Sequence, residues 1–95
     1  MRRDEILGKL RSLKPWLAQQ GITRVRLFGS YARNQAGPDS DIDLLVELSR
    51  PLGLDHFRIE EELSAMLGAN VQMVTDAALT NQIVRRHALA EAIDA

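Results

Sequence analysis

The most informative part of this chain is Leu27-Phe28-Gly29-Ser30-Tyr31-Ala32-Arg33, with Ser40-Asp41-Ile42-Asp43-Leu44 downstream. An alternating strand stops at Gly29, and residues 30–34 are predicted to form a short helix. The second segment opens another strand, on which Asp41 and Asp43 project to the same side because side chains alternate along a strand. One short stretch of chain therefore presents a glycine-serine turn and two carboxylates.

Working outward from this stretch, apolar periodicity predicts the other elements. Residues 4–20 read as an amphipathic helix that Pro15 should kink or divide and that Gly21 ends. Strands are predicted over residues 22–28, 41–48 and 70–74. Together with two helices after the second and third strands, the order α-β-α-β-α-β-α predicts an α/β fold. We expect a small mixed sheet with helices packed mainly on one face, which leaves the Asp41 and Asp43 face open as a cleft.

Two helices follow from caps and spacing in the second half of the chain. Asp55 is predicted to cap a helix that runs to about Leu67 and stops at Gly68. Asp76 or Asn81 is predicted to cap the last helix. The side chains expected to face the core are Ile59, Leu63, Met66 and Leu67 on the first helix, and Ile83, Val84, His87 and Leu89 on the second.

Composition limits the classes of protein to consider. The 95 residues are expected to form one domain, residues 1–95, and 45% hydrophobic and 26% charged residues are ordinary for a globule. A net charge of −1 argues against binding to a nucleic-acid backbone, which needs a clustered basic face. No apolar run approaches the roughly 18 residues of a membrane span, and no signal peptide is evident, so we expect a cytoplasmic protein. Because a core this small is marginally stable, association with itself or with a partner is also expected.

Asp41 and Asp43 are candidate metal ligands. Two same-face carboxylates can share divalent cations, and two ions about 3.5–4 Å apart clamp a phosphoryl transfer. Mg²⁺ suits such a site because it prefers oxygen ligands and keeps water or phosphate in its shell. Without metal, mutual repulsion should raise the pKa of at least one of the two. Taken alone, however, an Asp-x-Asp pair is more often a solvated strand face.

The turn at Gly29 and Ser30 is a candidate phosphate site, and its presence favours a metal-binding role for the acid pair. Glycine lets a phosphate approach the backbone, and the following N–H groups and the Ser30 hydroxyl are donors. Arg33, one helical turn further, is placed to reach the same phosphates. A glycine turn with a serine cap is also common without any ligand, so the combination of the turn, Arg33 and the acid pair carries the prediction.

These motifs resemble the nucleotidyltransferase superfamily typified by DNA polymerase β, and most closely its minimal members, which consist of little more than the catalytic palm. Their pattern of Gly-Ser-x-Ala-Arg-Gly followed by Ser-Asp-x-Asp-Leu is similar to residues 29–34 and 40–44 here. The resemblance extends over nearly the whole chain. It implies an Mg²⁺-dependent transfer of AMP from ATP, with Gly29, Ser30, Arg33 and Ser40 binding the nucleotide. It also implies that Asp41 and Asp43 hold two metal ions and act in catalysis.

Many minimal members are encoded beside a HEPN-domain toxin and act as its antitoxin, some by attaching AMP to a tyrosine of that partner. The resemblance therefore implies a HEPN-type partner protein for this chain. Two positions depart from the family pattern. Asn34 stands in place of glycine, and Gln72 stands where members usually carry a third carboxylate.

Gln72 leaves two functional hypotheses open. The first is an enzyme that transfers AMP to its partner. The second is a catalytically impaired module that binds nucleotide and neutralises the partner by contact, because an amide cannot accept a proton as a carboxylate does. Glu47 and Asp76 are candidate substitutes for the missing acid only if the backbone folds back toward Asp43.

Overall fold

A four-stranded sheet in the order β3-β2-β1-β4 forms the centre of the protein. In the computed structural model, which describes residues 2–95 except for the side chain of Asp76, the strands are β1 (Ile22–Phe28), β2 (Ile42–Leu48), β3 (Val71–Thr75) and β4 (Ile93–Asp94). The helices are α1 (Arg3–Ser12), α2 (Lys14–Gln19), α3 (Asp55–Leu67) and α4 (Gln82–Glu91), with a 3₁₀ turn over Asp76–Ala78. The mixed α/β fold predicted from the sequence is confirmed.

The strand pairing positions the two sequence motifs next to each other. β1 runs antiparallel to β2, with Phe28 opposite Asp43. β2 runs parallel to β3, with Gln72 beside Asp43. Asp43 therefore lies between Phe28 and Gln72, on the face of the sheet that its own alternation with Ile42 and Leu44 predicts.

The hydrophobic core lies on the opposite face of the sheet. Ile42, Leu44 and Val46 of β2 pack there with apolar side chains of α1, α2 and α3, and the three β2 residues are at most 1% exposed. The strict alternation of β2 explains this segregation. Leu45, on the face that carries Asp43, is also fully buried but lies outside the main core cluster.

Pro15 divides the leading helical segment, as predicted. It occupies the start of α2, where its missing N–H costs no helical hydrogen bond, and α1 ends before Leu13. Gly21 then adopts φ +92°, a conformation that favours glycine, and leads into β1.

Helix α3 differs from prediction in two details. Asp55 is its first residue rather than its cap, and the Asp55 carboxylate pairs with Arg58 at 3.4 Å. Ile59, Leu63 and Leu67 are fully buried as predicted, but Met66 is 39% exposed because it lies beside the core-facing stripe. Gly68 ends the helix in the left-handed conformation, as predicted.

Helix α4 is the largest departure. Asn81 caps it, as one of the two alternatives predicted, by accepting hydrogen bonds from the backbone of Ile83 and Val84. The expectation that Ile83, Val84, His87 and Leu89 face the core is wrong, since all four are exposed and only Ala88 is buried. The apolar spacing of α4 is real, but it faces an open cleft beside β1 instead of the core.

Two further features of the fold depart from the sequence prediction. The strand β4 pairs with Arg26 and Leu27 of β1 and was missed because it is two residues long. Residues 30–34 form hydrogen-bonded turns rather than a helix. Within the described residues, no helix has the length and apolar character needed to cross a membrane.

Candidate active site

Gly29 and Asp43 are in direct contact where β1 ends. Gly29 has φ +77°, and a Cβ atom placed on it would overlap the Asp43 carboxylate, with Asp43 Cγ only 3.2 Å away. Glycine is required here both by its backbone conformation and by the approach of Asp43. The turn and the acid pair that the sequence predicts are thus brought together at one point of the sheet.

The backbone after Gly29 curls into a tight turn. The N–H of Arg33 donates to the carbonyl of Gly29 at 3.2 Å, and the N–H of Gln35 donates to the carbonyl of Ser30 at 2.8 Å. Asn34 closes the turn with φ +58°, so asparagine replaces the family's glycine at a position that needs positive φ. Ser30 stands at the start of this turn, one residue from the Gly29–Asp43 contact.

Asp41 immediately precedes β2 and is tied to the neighbouring strand. The side-chain amide of Gln72 donates a hydrogen bond to Asp41 Oδ2 at 3.2 Å. Gln72 therefore faces the acid pair, at the position where the resemblance expects a carboxylate. Its amide orients Asp41 but brings no negative charge and, unlike a carboxylate, no proton acceptor at neutral pH.

The pKa of Asp43 is shifted in the direction expected for two neighbouring carboxylates. The pKa of the Asp43 carboxyl is raised above its ordinary value, first by burial and then by repulsion from Asp41, while the Arg33 charge opposes the shift. Two carboxylates that face each other with incomplete compensation form a site that a cation would stabilise. The described residues contain no cluster of three or more acids, histidines or cysteines suited to a metal, so oxygens of a bound phosphate or water would have to complete the shell of an Mg²⁺ ion. The donor chemistry of the pair fits Mg²⁺.

Arg33 is held by a partner that sequence reasoning missed. Its Nη1 lies 2.8 Å from Oε2 of Glu91, at the end of α4, and its Nε donates to Gln35 at 3.1 Å. The ion pair is partly exposed, with Glu91 at 30% and Arg33 at 43% side-chain exposure. Arg33 thus stands beside the site but is paired with Glu91 in this structure.

Ser40 belongs to the loop before Asp41. Its hydroxyl accepts a hydrogen bond from the N–H of Gly37 at 2.9 Å, which closes the loop. This contact gives Ser40 a structural part in presenting Asp41. Its contact with a nucleotide remains a prediction.

Glu47, one of the two candidate substitutes for the missing acid, does not join the site. Glu47 is paired with Arg24 at 3.7 Å and with Arg26 at 3.9 Å, toward the far end of β2. Asp76 follows the end of β3, and its side chain lies outside the described residues. Gln72 is thus the residue of β3 that meets the acid pair.

A cleft of about 270 Å³ opens beside Gly29, between β1 and α4. It was not foreseen, although residues 83, 84, 87, 88 and 91 share one face at helical spacing. Its lining consists of Phe28, Gly29, Arg33, Ile83, Val84, His87, Ala88 and Glu91. We call it the α4 cleft. Gly29, which contacts Asp43, is therefore one of the residues that line this cleft.

A mixed sheet that places paired aspartates against a glycine-serine turn defines the class of nucleotide-transferring palm domains. The comparisons with known proteins agree. The family model described as nucleotidyltransferase domain matches residues 3–94. The chain belongs to this family, and it is a nucleotidyltransferase of the minimal type.

The chain is also similar to individual proteins of this class. The chain is 36% identical over 84 residues to the protein adenylyltransferase MntA of Thermococcus cleftensis, covering 86% of this chain and 85% of the relative. A solved structure described, provisionally, as a minimal nucleotidyltransferase is 39% identical, with a TM-score of 0.79 and coverage of 98% and 95% of the two chains.

Two more distant structures share the fold. One is a toxin–antitoxin crystal structure with AMP-PNP (20% identity, TM-score 0.69, 99% of this chain and 72% of that chain). The other is an MNT antitoxin in complex with a tri-AMPylated HEPN toxin of Shewanella oneidensis (18% identity, TM-score 0.66, 97% and 70%).

Proposed function

We propose that this chain is an Mg²⁺-dependent adenylyltransferase that moves AMP from ATP to a HEPN-type toxin and thereby acts as the antitoxin of that toxin. The observation that carries the proposal is the contact of Asp43 with Gly29, which sets the acid pair against the turn at Ser30. The similarity to a named protein adenylyltransferase supports adenylyl transfer over the impaired alternative. The complexes with AMP-PNP and with an AMPylated HEPN toxin support the nucleotide and the partner.

Each site residue has a distinct part in this proposal. Asp41 and Asp43 would hold the metal, with two ions expected. Mg²⁺, when bound, neutralises phosphate charge and stabilises the transfer. Gly29 lets the triphosphate approach its backbone, and the Ser30 hydroxyl donates to a phosphate oxygen. Arg33 becomes available to the phosphates if its pair with Glu91 opens.

The reaction joins an acceptor oxygen to the α-phosphorus of ATP and releases pyrophosphate. The acceptor hydroxyl must lose a proton, and Gln72 does not take one. Gln72 instead holds Asp41 through the amide hydrogen bond at 3.2 Å. Such orientation of a ligand by a neighbouring group is worth about 10- to 100-fold in metal affinity or activity in other sites.

Labelled ATP, Mg²⁺ and the purified partner toxin test the proposal. We expect label on the toxin, and its loss in Asp41→Ala and in Asp43→Ala. Glu47→Gln is the matched control because Glu47 lies on the same face of β2 but pairs with Arg24 and Arg26. Neutralisation of the toxin that survives both aspartate substitutions without label transfer would contradict the proposal and favour action by contact.

A further inference from the structure

Helix α4 exposes apolar side chains toward the α4 cleft. Ile83 is 71% exposed and Val84 is 54% exposed, although both line the cleft. Among the described side chains of the helix, only that of Ala88 is buried. Covering these apolar groups with an apolar surface of matching size is favourable, because it removes them from water.

The position of the α4 cleft identifies what could cover them. One wall is Phe28 of β1, which lies opposite Asp43 in the sheet. Its lining includes Gly29, which also contacts the Asp43 carboxylate. The cleft therefore shares Gly29 with the predicted triphosphate site, so a ligand whose phosphates lie at Gly29 can extend its other end toward α4.

The α4 cleft has polar as well as apolar lining groups. The ion pair of Arg33 with Glu91 and the imidazole of His87 contribute polar groups to an otherwise apolar lining. A nucleobase has the matching distribution, with two apolar faces and a polar edge. Base stacking on protein aromatic groups is sequence-tolerant, and a purine offers a larger face than a pyrimidine.

From these contacts we infer that the α4 cleft holds the purine base of the nucleotide, packed between Phe28 and the side chains of Ile83 and Val84. This inference rests on the proposed function and names the residues that select the base. His87 and Glu91 supply hydrogen-bonding groups to the edge of the base. Entry of the nucleotide places its charged phosphates near Arg33, which then exchanges Glu91 for a phosphate oxygen.

The alternative occupant is a segment of a partner protein that packs on Ile83 and Val84. Gly29 and Arg33 line the α4 cleft and also belong to the predicted triphosphate site, and this continuity favours a small ligand joined to that site. The exposed apolar residues Leu54 and Phe57 provide a comparison, because they are 86% and 67% exposed and do not line the α4 cleft.

Calorimetry with two Mg²⁺-bound ligands tests the inference. ATP carries base, ribose and phosphates, whereas inorganic tripolyphosphate carries the phosphates alone. We expect wild-type protein to bind ATP more tightly than tripolyphosphate, and GTP more tightly than CTP or UTP. The variant Ile83→Ala with Val84→Ala should lose about 5- to 150-fold in affinity for ATP, a loss that corresponds to about 1–3 kcal/mol of apolar contact. Its affinity for tripolyphosphate should not change.

Two controls keep the result interpretable. Leu54→Ala with Phe57→Ala removes a similar exposed apolar area outside the α4 cleft and should leave both affinities unchanged. Val84→Trp should fill the cleft and weaken ATP binding while tripolyphosphate binding persists, and circular dichroism confirms that each variant is folded.

The outcomes separate this inference from the proposed function. Equal wild-type affinity for ATP and tripolyphosphate, or an unchanged ATP affinity in the alanine variant, overturns the base site while the phosphate site stands. Weakened toxin binding with unchanged ATP binding overturns it in favour of a protein surface. Absence of Mg²⁺-dependent binding of both ligands overturns the proposed function and this inference with it.

Discussion

The two faces of the sheet are built in opposite ways. On the core face, Leu27 and Leu44 are fully buried against three helices. On the other face, Asp43 has a raised pKa beside Asp41, and α4 leaves Ile83 largely in solvent. Residues of one strand serve both faces, because alternate side chains point to opposite sides. Packing on one face stabilises the protein, so the other face can hold repelling charges and an open cleft.

The largest expected effect is on the rate of AMP transfer and concerns Gln72 of β3. Gln72→Asp should restore a proton-accepting carboxylate beside Asp41 and raise the rate of AMP transfer by about 10²–10⁴, the usual contribution of a general base. Single-turnover transfer of labelled AMP to the toxin measures it, with Gln72→Asn as the uncharged control. If Gln72→Asp and wild type transfer at the same rate, another group already accepts the proton.

The second effect contrasts apolar truncation on the two faces. Leu44→Ala should destabilise the protein by about 2–5 kcal/mol, since it empties a fully buried core position. Ile83→Ala on α4 should change the free energy of unfolding by less than about 0.5 kcal/mol, as an exposed substitution does. Urea denaturation of ligand-free protein measures both. Similar losses in the two variants would mean that α4 is part of the core.

A third effect lies where the two motifs touch. Gly29→Ala places a methyl group against the Asp43 carboxylate at a backbone φ of +77°. Displacement of a positioned group by about 1 Å costs roughly 10²-fold in rate, so AMP transfer should fall by about that factor. Gly53→Ala is the matched control, since Gly53 also has positive φ but nothing within 4 Å of its Cβ position. Equal activity of the two variants would show that the Gly29–Asp43 contact is unimportant.

The smallest effect is a pH dependence of stability in metal-free protein. Because the folded protein raises the pKa of Asp43, ionisation of this group disfavours the folded state. Its contribution is most favourable below the ordinary carboxyl pKa and is lost as pH rises through the elevated value. Asp43→Asn should therefore unfold at a slightly higher temperature than wild type at neutral pH in EDTA, a gain below about 1 kcal/mol after solvent screening. The difference should vanish in acid, and a variant less stable than wild type at neutral pH would contradict it.

The sequence predicted the elements whose patterns report directly on burial. Strict alternation in β2 placed Asp43 and Leu44 on opposite faces, and Pro15 marked the division between the leading helices. The resemblance to minimal nucleotidyltransferases singled out Gln72, which the structure shows hydrogen-bonded to Asp41. The first two features depend on neighbours along the chain or on the periodicity of a single strand.

What the sequence did not reveal depends on contacts between distant segments. Arg33 and Glu91 are 58 positions apart, so no local sequence pattern predicts their pairing. The apolar spacing of α4 was mistaken for a core face because periodicity reports an apolar surface but not what it meets. The strand β4 is held by pairing with Arg26 and Leu27 and by the bidentate pair of Arg24 with Asp94, and two residues carry no alternation to detect.

A crystal of the protein grown with Mn²⁺ and a non-hydrolysable ATP analogue would show whether the two aspartates bind metal beside the glycine-serine turn. Anomalous scattering should locate Mn²⁺ bound by the carboxylates of both Asp41 and Asp43, with the triphosphate against Gly29 and Ser30. Metal bound elsewhere, or a triphosphate remote from the turn while both aspartates stay without metal, would contradict the account.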